Sequence, residues 1–339
     1  MPESANLQTQ VCSLLSCRYP ILQAGMGGVA RSQLAAAVSE AGGFGCLGMV
    51  RESPALIARE IAATRELTGK PFGVNLIPAA TDPVLFLEEL AVCVEMKVDA
   101  LVFFWDVDVF AVRRAKSTGI TVLHQVGTVE AARLAEGAGA DAIIAQGVEA
   151  GGHVHGDVSS LVLLPQVVQA VDVPVIGSGG FATGASLVAA LALGAQGIHC
   201  GTAFLATEES FAHDIHKQKV VQAASDETVH TDAYAINWPP SSPVRVLESP
   251  ETERLGTRLF GYGADDHARE QVADEEGRPI WLYSTDSPLR SMQGDLERLA
   301  MFAGQVTGQI ENVSGAGEVV ERIVRNATSI LSGLADRAR

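Results

Sequence analysis

The residues best equipped for chemistry sit in one run, Gln146-Gly147-Val148-Glu149-Ala150-Gly151-Gly152-His153-Val154-His155-Gly156. The apolar stretch Asp141-Ala142-Ile143-Ile144-Ala145 precedes it and reads as a short buried strand. Glycines let backbone approach a ligand closely and adopt positive φ. A histidine among them can trade protons near neutral pH, take a proton from carbon or hydrogen-bond an anion. His153 is therefore the candidate base. His155 is the second choice, because Gly156 beside it suggests a turn pointing outward. Glu149 is a possible base too, but reads first as a brace that accepts backbone N–H bonds within the loop.

Two further glycine pairs close apolar runs. Ser178-Gly179-Gly180 follows Val175-Ile176-Gly177, and Gly201-Thr202 follows Ile198-His199-Cys200. Backbone N–H groups in such loops, with a helix N-terminus behind them, suit a phosphate and need no lysine. The amides Gln23, Asn75, Gln125 and Gln146 also end apolar runs. An amide offers both donor and acceptor, so four on one rim would suit a flat polar heterocycle. His124, His199, His213 and His216 take structural readings, and no metal-ligand motif surrounds the i, i+3 pair His213 and His216.

Glycine-punctuated apolar runs alternate with helical patterns about eight times before residue 210. Strands are expected from Tyr19 into a glycine-rich loop at Gly25–Gly28, and near Phe44–Gly48, Phe72–Leu76, Ala100–Phe104, Thr121–Gln125, Asp141–Ala145, Val173–Ser178 and Gly197–Cys200. Short all-apolar strands alternating with helices imply a parallel sheet covered by helices. Eight units, with glycines crowding the C-terminal ends of the first, sixth, seventh and eighth strands, predict an α/β (β/α)8 TIM barrel rather than an open doubly wound sheet. Among the helices, Ser53 and Pro54 read as cap and first residue of one, Ser32 reads as the cap of another, and a short helix is expected near Val11–Leu15.

The character changes late in the chain, where Trp238-Pro239-Pro240, Ser242-Pro243, Ser249-Pro250 and Asp274-Glu275-Glu276 appear. The division expected is a barrel over 1–224, an inserted lid or small domain over 225–293, and C-terminal helices over 294–339 that pack back on the barrel. Those helices are placed at Asp295–Thr307 and Glu318–Leu334.

With 339 residues, 47% of them hydrophobic, the chain can bury a sizeable core. A formal charge of −16 disfavours nucleic acid and anionic membrane as partners. Five cysteines without zinc-like spacing suggest reduced thiols and a cytoplasmic protein, although Cys12 and Cys17 are close enough in sequence to pair or to bind metal. Neither a signal peptide nor a membrane span is expected.

These residues resemble the nitronate monooxygenase family, formerly the 2-nitropropane dioxygenases, and the related flavin-type enoyl-ACP reductases. The resemblance runs through Pro20-Ile21-Leu22-Gln23-Ala24-Gly25-Met26, Lys70-Pro71-Phe72-Gly73-Val74-Asn75, Ile176–Gly180, Gly201–Ser210 and Ala303-Gly304-Gln305. Its most specific part is Glu149-Ala150-Gly151-Gly152-His153. It implies noncovalent FMN with its phosphate on Gly179, Gly180, Gly201 and Thr202. Asn75 and Gln125 would lie along the flavin and Gly25 and Met26 near its ring, with Gln146, Gly151, Gly152 and Ser178 completing the cofactor set. His153 matches the catalytic histidine. The implied reaction oxidises alkyl nitronates or nitroalkanes with O2 to a carbonyl compound and nitrite. The alternative within the same superfamily is NAD(P)H-dependent reduction of quinones or enoyl thioesters. A homodimer is compatible with either. One departure stands out: Phe103-Phe104-Trp105-Asp106-Val107-Asp108 replaces the Gly- and Ser-rich loop expected after the fourth strand. Trp105 would stack near the substrate or pack under the lid.

Overall fold

The structure is a computed structural model that describes residues 7–337. The first six residues of the expected barrel domain and the last two of the C-terminal segment lie outside it.

A short helix, α1 (Gln10–Leu15), precedes strand β1 (Ile21–Gln23) and α2 (Ser32–Glu40). The next three pairs are β2 (Gly45–Gly48) with α3 (Pro54–Leu67), β3 (Phe72–Leu76) with α4 (Pro83–Glu95), and β4 (Ala100–Phe103) with α5 (Val109–Lys116). They are followed by β5 (Thr121–Val126), α6 (Val129–Ala138), β6 (Ala142–Gln146), a two-residue strand β7 (Gly152–His153) and α7 (Ser160–Ala170). The barrel portion ends with β8 (Val175–Ser178), α8 (Gly184–Ala192), β9 (Ile198–Cys200) and α9 (Thr202–Leu205).

Eight of these strands form one parallel sheet in the order β1-β9-β8-β6-β5-β4-β3-β2. Its two edges meet where Leu22 bridges Phe44, with Gln23 N donating to Phe44 O at 2.9 Å. The sheet thus closes as the expected (β/α)8 barrel, which leaves no strand edge open. Gln23 completes the closure. Its side chain bonds both Cys46 N (2.9 Å) and Cys46 O (3.0 Å), supplying a ladder step that the short β1 lacks. At the opposite end α1 plugs the barrel, adding Val11 and Leu15 to an interior layer of Leu22, Phe44, Val102 and Ile144.

Capping follows local chemistry. Ser53 accepts from Leu56 N with Pro54 at the first helical position, as the sequence predicts. Ser32, in contrast, is no cap. It is the first residue of α2, and its N–H donates to Glu60 of α3, so the neighbouring helix provides the acceptor.

Beyond the barrel come α10 (Asp214–Gln222), β10 (Thr228–Thr231), β11 (Val244–Leu247), α11 (Pro250–Glu253), β12 (Gln271–Glu275), β13 (Arg278–Trp281) and β14 (Met292–Gly294). They make two small antiparallel sheets, β10-β11-β7 and β13-β12-β14. The first takes in the glycine–histidine loop itself, since Val244 pairs with His153 and Arg245 with Gly152. The helix expected over Asp295–Thr307 is absent. Two 3-10 turns, Leu296–Arg298 and Gln305–Gln309, stand in its place. The reason is that Gly304 N donates to Thr202 Oγ1 and Gln305 N to Glu149 O, so these N–H groups tie loops together instead of meeting i−4 carbonyls. The last helix, α12 (Ala316–Arg337), buries Val319, Val320 and Ile323 and packs against α8 and α2. All five cysteines are free, and among the described residues no helix is long and apolar enough to cross a membrane.

Candidate active site

A cavity of about 1190 Å³ opens at the C-terminal ends of the barrel strands. His153 and all the expected cofactor residues except Ser178 line it, whereas Gln23, His124, Trp105, Glu149 and His155 do not.

The histidine loop is held from three sides. Glu149 accepts from Ser160 N at 3.1 Å and from Ser160 Oγ, so the carboxylate sits at the N-terminus of α7 where the helix dipole favours it. Arg245 donates to Val148 O at 2.9 Å from β11. Gln146 donates from Nε2 to His153 O (2.9 Å) and accepts from His155 N (3.3 Å). That amide therefore braces β7 and is not free to read a ligand. Gly151 is required sterically, because a Cβ there would lie 2.4 Å from Gly304 N.

His153 stands in an aromatic box. The Trp238 indole stacks on it with centroids 3.5 Å apart and planes 17° from parallel, Trp105 meets it edge-on at 5.8 Å, and Phe302 lies at 5.9 Å. Its Nε2 is buried and has no hydrogen-bond partner among the described residues. Burial first, and the Arg51 guanidinium second, hold its pKa well below the ordinary histidine value. The imidazole is thus neutral at pH 7 and able to accept a proton.

His155 does not point outward as expected. Its Nε2 lies 3.1 Å from Asp106 Oδ1 and its ring meets Trp105 at 4.9 Å, so it anchors the loop after β4. Trp105 is buried, has φ +77° and packs beneath Trp238, with centroids 6.2 Å apart. A bulky residue in that region of φ is an outlier held by its surroundings.

The opposite part of the cavity is bare backbone. Gly179 and Gly180 have φ of +81° and +80°. No hydrogen bond engages their N–H groups among the described residues. Gly201 faces them from the end of β9, and a Cβ there would meet nothing closer than 3.7 Å. Such a cradle suits a phosphate. Thr202 lines it too, though its hydroxyl is already the acceptor for Gly304 N. Ser178 is set back behind the wall, with Oγ 3.0 Å from His199 Nδ1. His199, read from sequence as structural, lines the cavity with a buried Nε2 that has no partner among the described residues, and burial lowers its pKa to about 4.

Between the two ends lie Gly25, Met26, Asn75 and Gln125. Gly25 admits no side chain, since its Cβ would fall 2.3 Å from Asn75 Cβ. Asn75 donates to Val102 O at 2.9 Å and keeps its carbonyl for a ligand. Gln125 forms no side-chain bond among the described residues. Of the four amides, then, Gln23 closes the barrel, Gln146 braces the loop, and Asn75 and Gln125 retain groups for the cavity.

His213 and His216 are engaged separately, His213 capping α10 and His216 bonding Phe302 O and Ser287. Among the described residues no group of three or more His, Cys, Asp or Glu is placed to hold a metal.

A family model described as nitronate monooxygenase matches residues 8–85 and 78–326. The chain belongs to the nitronate monooxygenase family. It is a flavin-dependent oxidoreductase with a small-molecule substrate. Among curated relatives, a Rhodococcus jostii protein is 36% identical, with 97% of this chain and 98% of that one covered. It is named (3aS,4S,5R,7aS)-5-hydroxy-7a-methyl-1-oxo-octahydro-1H-indene-4-carboxyl-CoA dehydrogenase. Among solved structures, FabK from Thermotoga maritima has a TM-score of 0.82 at 32% identity, covering 97% of this chain and 99% of that one. A nitroalkane oxidase from Streptomyces ansochromogenes has a TM-score of 0.78 at 33% identity, covering 96% and 99%.

Proposed function

We propose that this chain binds FMN noncovalently and oxidises alkyl nitronates with O2 to a carbonyl compound and nitrite. The observation that carries the reading is His153. It is a neutral imidazole in an aromatic box, its Nε2 unpartnered among the described residues, and it lines the same cavity as the glycine cradle.

The residues fit the cofactor. Gly179, Gly180 and Gly201 offer a phosphate backbone N–H groups that are uncommitted among the described residues, and Thr202 stands beside them. Asn75 and Gln125 have free polar groups for a flat heterocycle, while Gly25, Met26, Gly151 and Gly152 allow close approach. When bound, FMN would supply the redox chemistry, taking electrons from the substrate and delivering them to O2.

The chain's own residues supply position and proton transfer. His153 takes the proton from the carbon next to a neutral nitro group, the pair of electrons passing onto the nitro oxygens. Trp105, Phe302 and Trp238 keep water from the reacting carbon. Arg51, which has no carboxylate within ion-pair distance among the described residues, adds positive charge where the anion forms.

A second reading, oxidoreduction of an acyl thioester, is compatible with a cavity of about 1190 Å³. The name of the Rhodococcus jostii relative supports it. Anaerobic mixing of the flavin-loaded protein with ethyl nitronate, and separately with NADH, tests the proposal. Bleaching of the flavin by the nitronate with NADH inert is the expected result. Bleaching by NADH with the nitronate inert overturns it in favour of reduction of thioesters or quinones.

A further inference from the structure

We infer that the indole Nε1–H of Trp238 holds the substrate's oxygen while His153 takes the proton from the adjacent carbon. This deepens the carbon-acid reading above and rests on it. Three observations carry it. The Trp238 and His153 rings are stacked 3.5 Å apart. Among the described residues, Trp238 Nε1 is buried without an acceptor, just as His153 Nε2 is buried without a partner. Both residues line the cavity at the strand ends. A buried indole N–H ordinarily finds an acceptor, because leaving it unpaired forfeits its bond to water. One orphaned donor and one orphaned acceptor on two stacked rings complement a C–H bond next to a nitro or carbonyl oxygen.

The indole is fixed in place. The Arg51 guanidinium lies over it at 5.4 Å, and Arg51 also donates to Asn237 O and to Thr285 Oγ1. Asn237 (φ +70°) and Ser241 (φ +58°) bracket Trp238-Pro239-Pro240. These two turn residues set the ends of the strap, and the Arg51 contacts hold the ring between them. The strap is therefore set before substrate arrives, which is what a donor aimed at developing charge requires.

The step balances as a proton transfer. The C–H bond breaks, its proton goes to the imidazole, and the electron pair moves onto the nitro group. The oxygen that gains charge accepts the indole N–H. A bond that strengthens as charge develops lowers the barrier and does not merely tighten binding.

The test uses Trp238→Phe, which keeps a ring to stack on His153 and removes the N–H. On neutral nitroethane its kcat should fall by about 10²-fold, the loss typical of removing one such donor, with flavin content unchanged. A binding arm needs no turnover. Propionate, an unreactive isostere of ethyl nitronate, is titrated into 15N-labelled holoprotein while the indole signal of Trp238, assigned by its loss in Trp238→Phe, is followed. A saturable downfield shift of that signal supports the inference. Saturation with that signal unmoved, absence of propionate binding, or wild-type nitroethane turnover by Trp238→Phe overturns it. Failure of the nitronate reading shows differently, as nitroethane inert in the wild-type protein, and the indole signal then still decides the donor role.

Discussion

His153→Asn replaces the ring nitrogens with an amide that cannot accept a proton near neutral pH. Turnover of neutral nitroalkanes should fall by about 10²–10⁴-fold, the usual worth of a positioned base, while flavin content stays unchanged. Turnover of preformed nitronate should fall less, since that proton is already gone. Equal losses on both substrates would remove the general-base role. The pH profile gives a second check with a definite sign. Burial and Arg51 hold the His153 pKa well below 6.5, and the neutral form is the base. Activity on neutral nitroalkane should therefore be flat from pH 6.5 upward and decline only as pH falls through that lowered pKa. An acid limb centred above pH 6.5 contradicts the assigned environment. That His153 and the glycines would share a cavity was legible in the sequence, because strand ends of a barrel converge. The partners of His153 were not. Trp238 reaches it from 85 residues further along the chain and Arg51 from 102 residues before it. The one available signal was a tryptophan before two prolines in an otherwise polar segment. The roles of Gln23 and Gln146 were illegible for another reason: an amide's direction is set by whichever backbone group its neighbours leave unpaired.

At the scale of elements, strands were legible as apolar runs ended by glycine, and most helices by caps and alanine-rich faces. The failure over Asp295–Thr307 is instructive, because a helical pattern lost to tertiary bonds from Gly304 and Gln305 that no local rule contains. The pairing of β7 with β11 was equally hidden, although it ties the inserted sheet to the histidine loop. Close helix packing yields a test at this scale. Gly184 opens α8, and a Cβ there would lie 2.2 Å from Ala327 N and 2.6 Å from Ile323 O of α12. Backbone cannot yield as a side chain can. Gly184→Val should force the two helices apart and cost about 1–3 kcal/mol or more, as overpacking does, measured as a lowered denaturant midpoint. The cavity lies at the strand ends, so flavin affinity of the protein that remains folded should be unchanged. An unshifted midpoint would show that α12 does not pack on α8 as described.

For the whole molecule, buried titratable groups set how stability depends on pH, and two sets oppose each other. His124, His199 and His216 are buried with pKa values lowered to about 4 from the ordinary 6.5. The unfolded chain binds more protons there than the folded one, so stability rises with pH between about 4 and 6.5. Glu89 acts the other way. It is fully buried on α4, neither carboxylate oxygen has a hydrogen-bond partner among the described residues, and burial pushes its pKa up to about 8. The N–H groups of Arg51 and Glu52 face it and pull the value back down, while the Glu52 charge pushes it up. A raised folded pKa means stability that is complete below the ordinary carboxylate value of 4.5 and is lost as pH rises through 8. The sum is a maximum near pH 6.5, with a steep acid side from these three histidines together with His153, whose pKa is lowered in the same sense, and a shallower alkaline side from one carboxyl. Glu89→Gln keeps the shape and removes the ionisation. It should steepen the rise between pH 4.5 and 6.5 and flatten the decline between pH 6.5 and 8, a gain on the order of a few kcal/mol at pH 8. Melting temperatures of both proteins across pH 4–9 measure this. Parallel curves above pH 6.5 would mean that Glu89 reaches water or a partner when it ionises, and that the loop carrying Arg51 opens to let it.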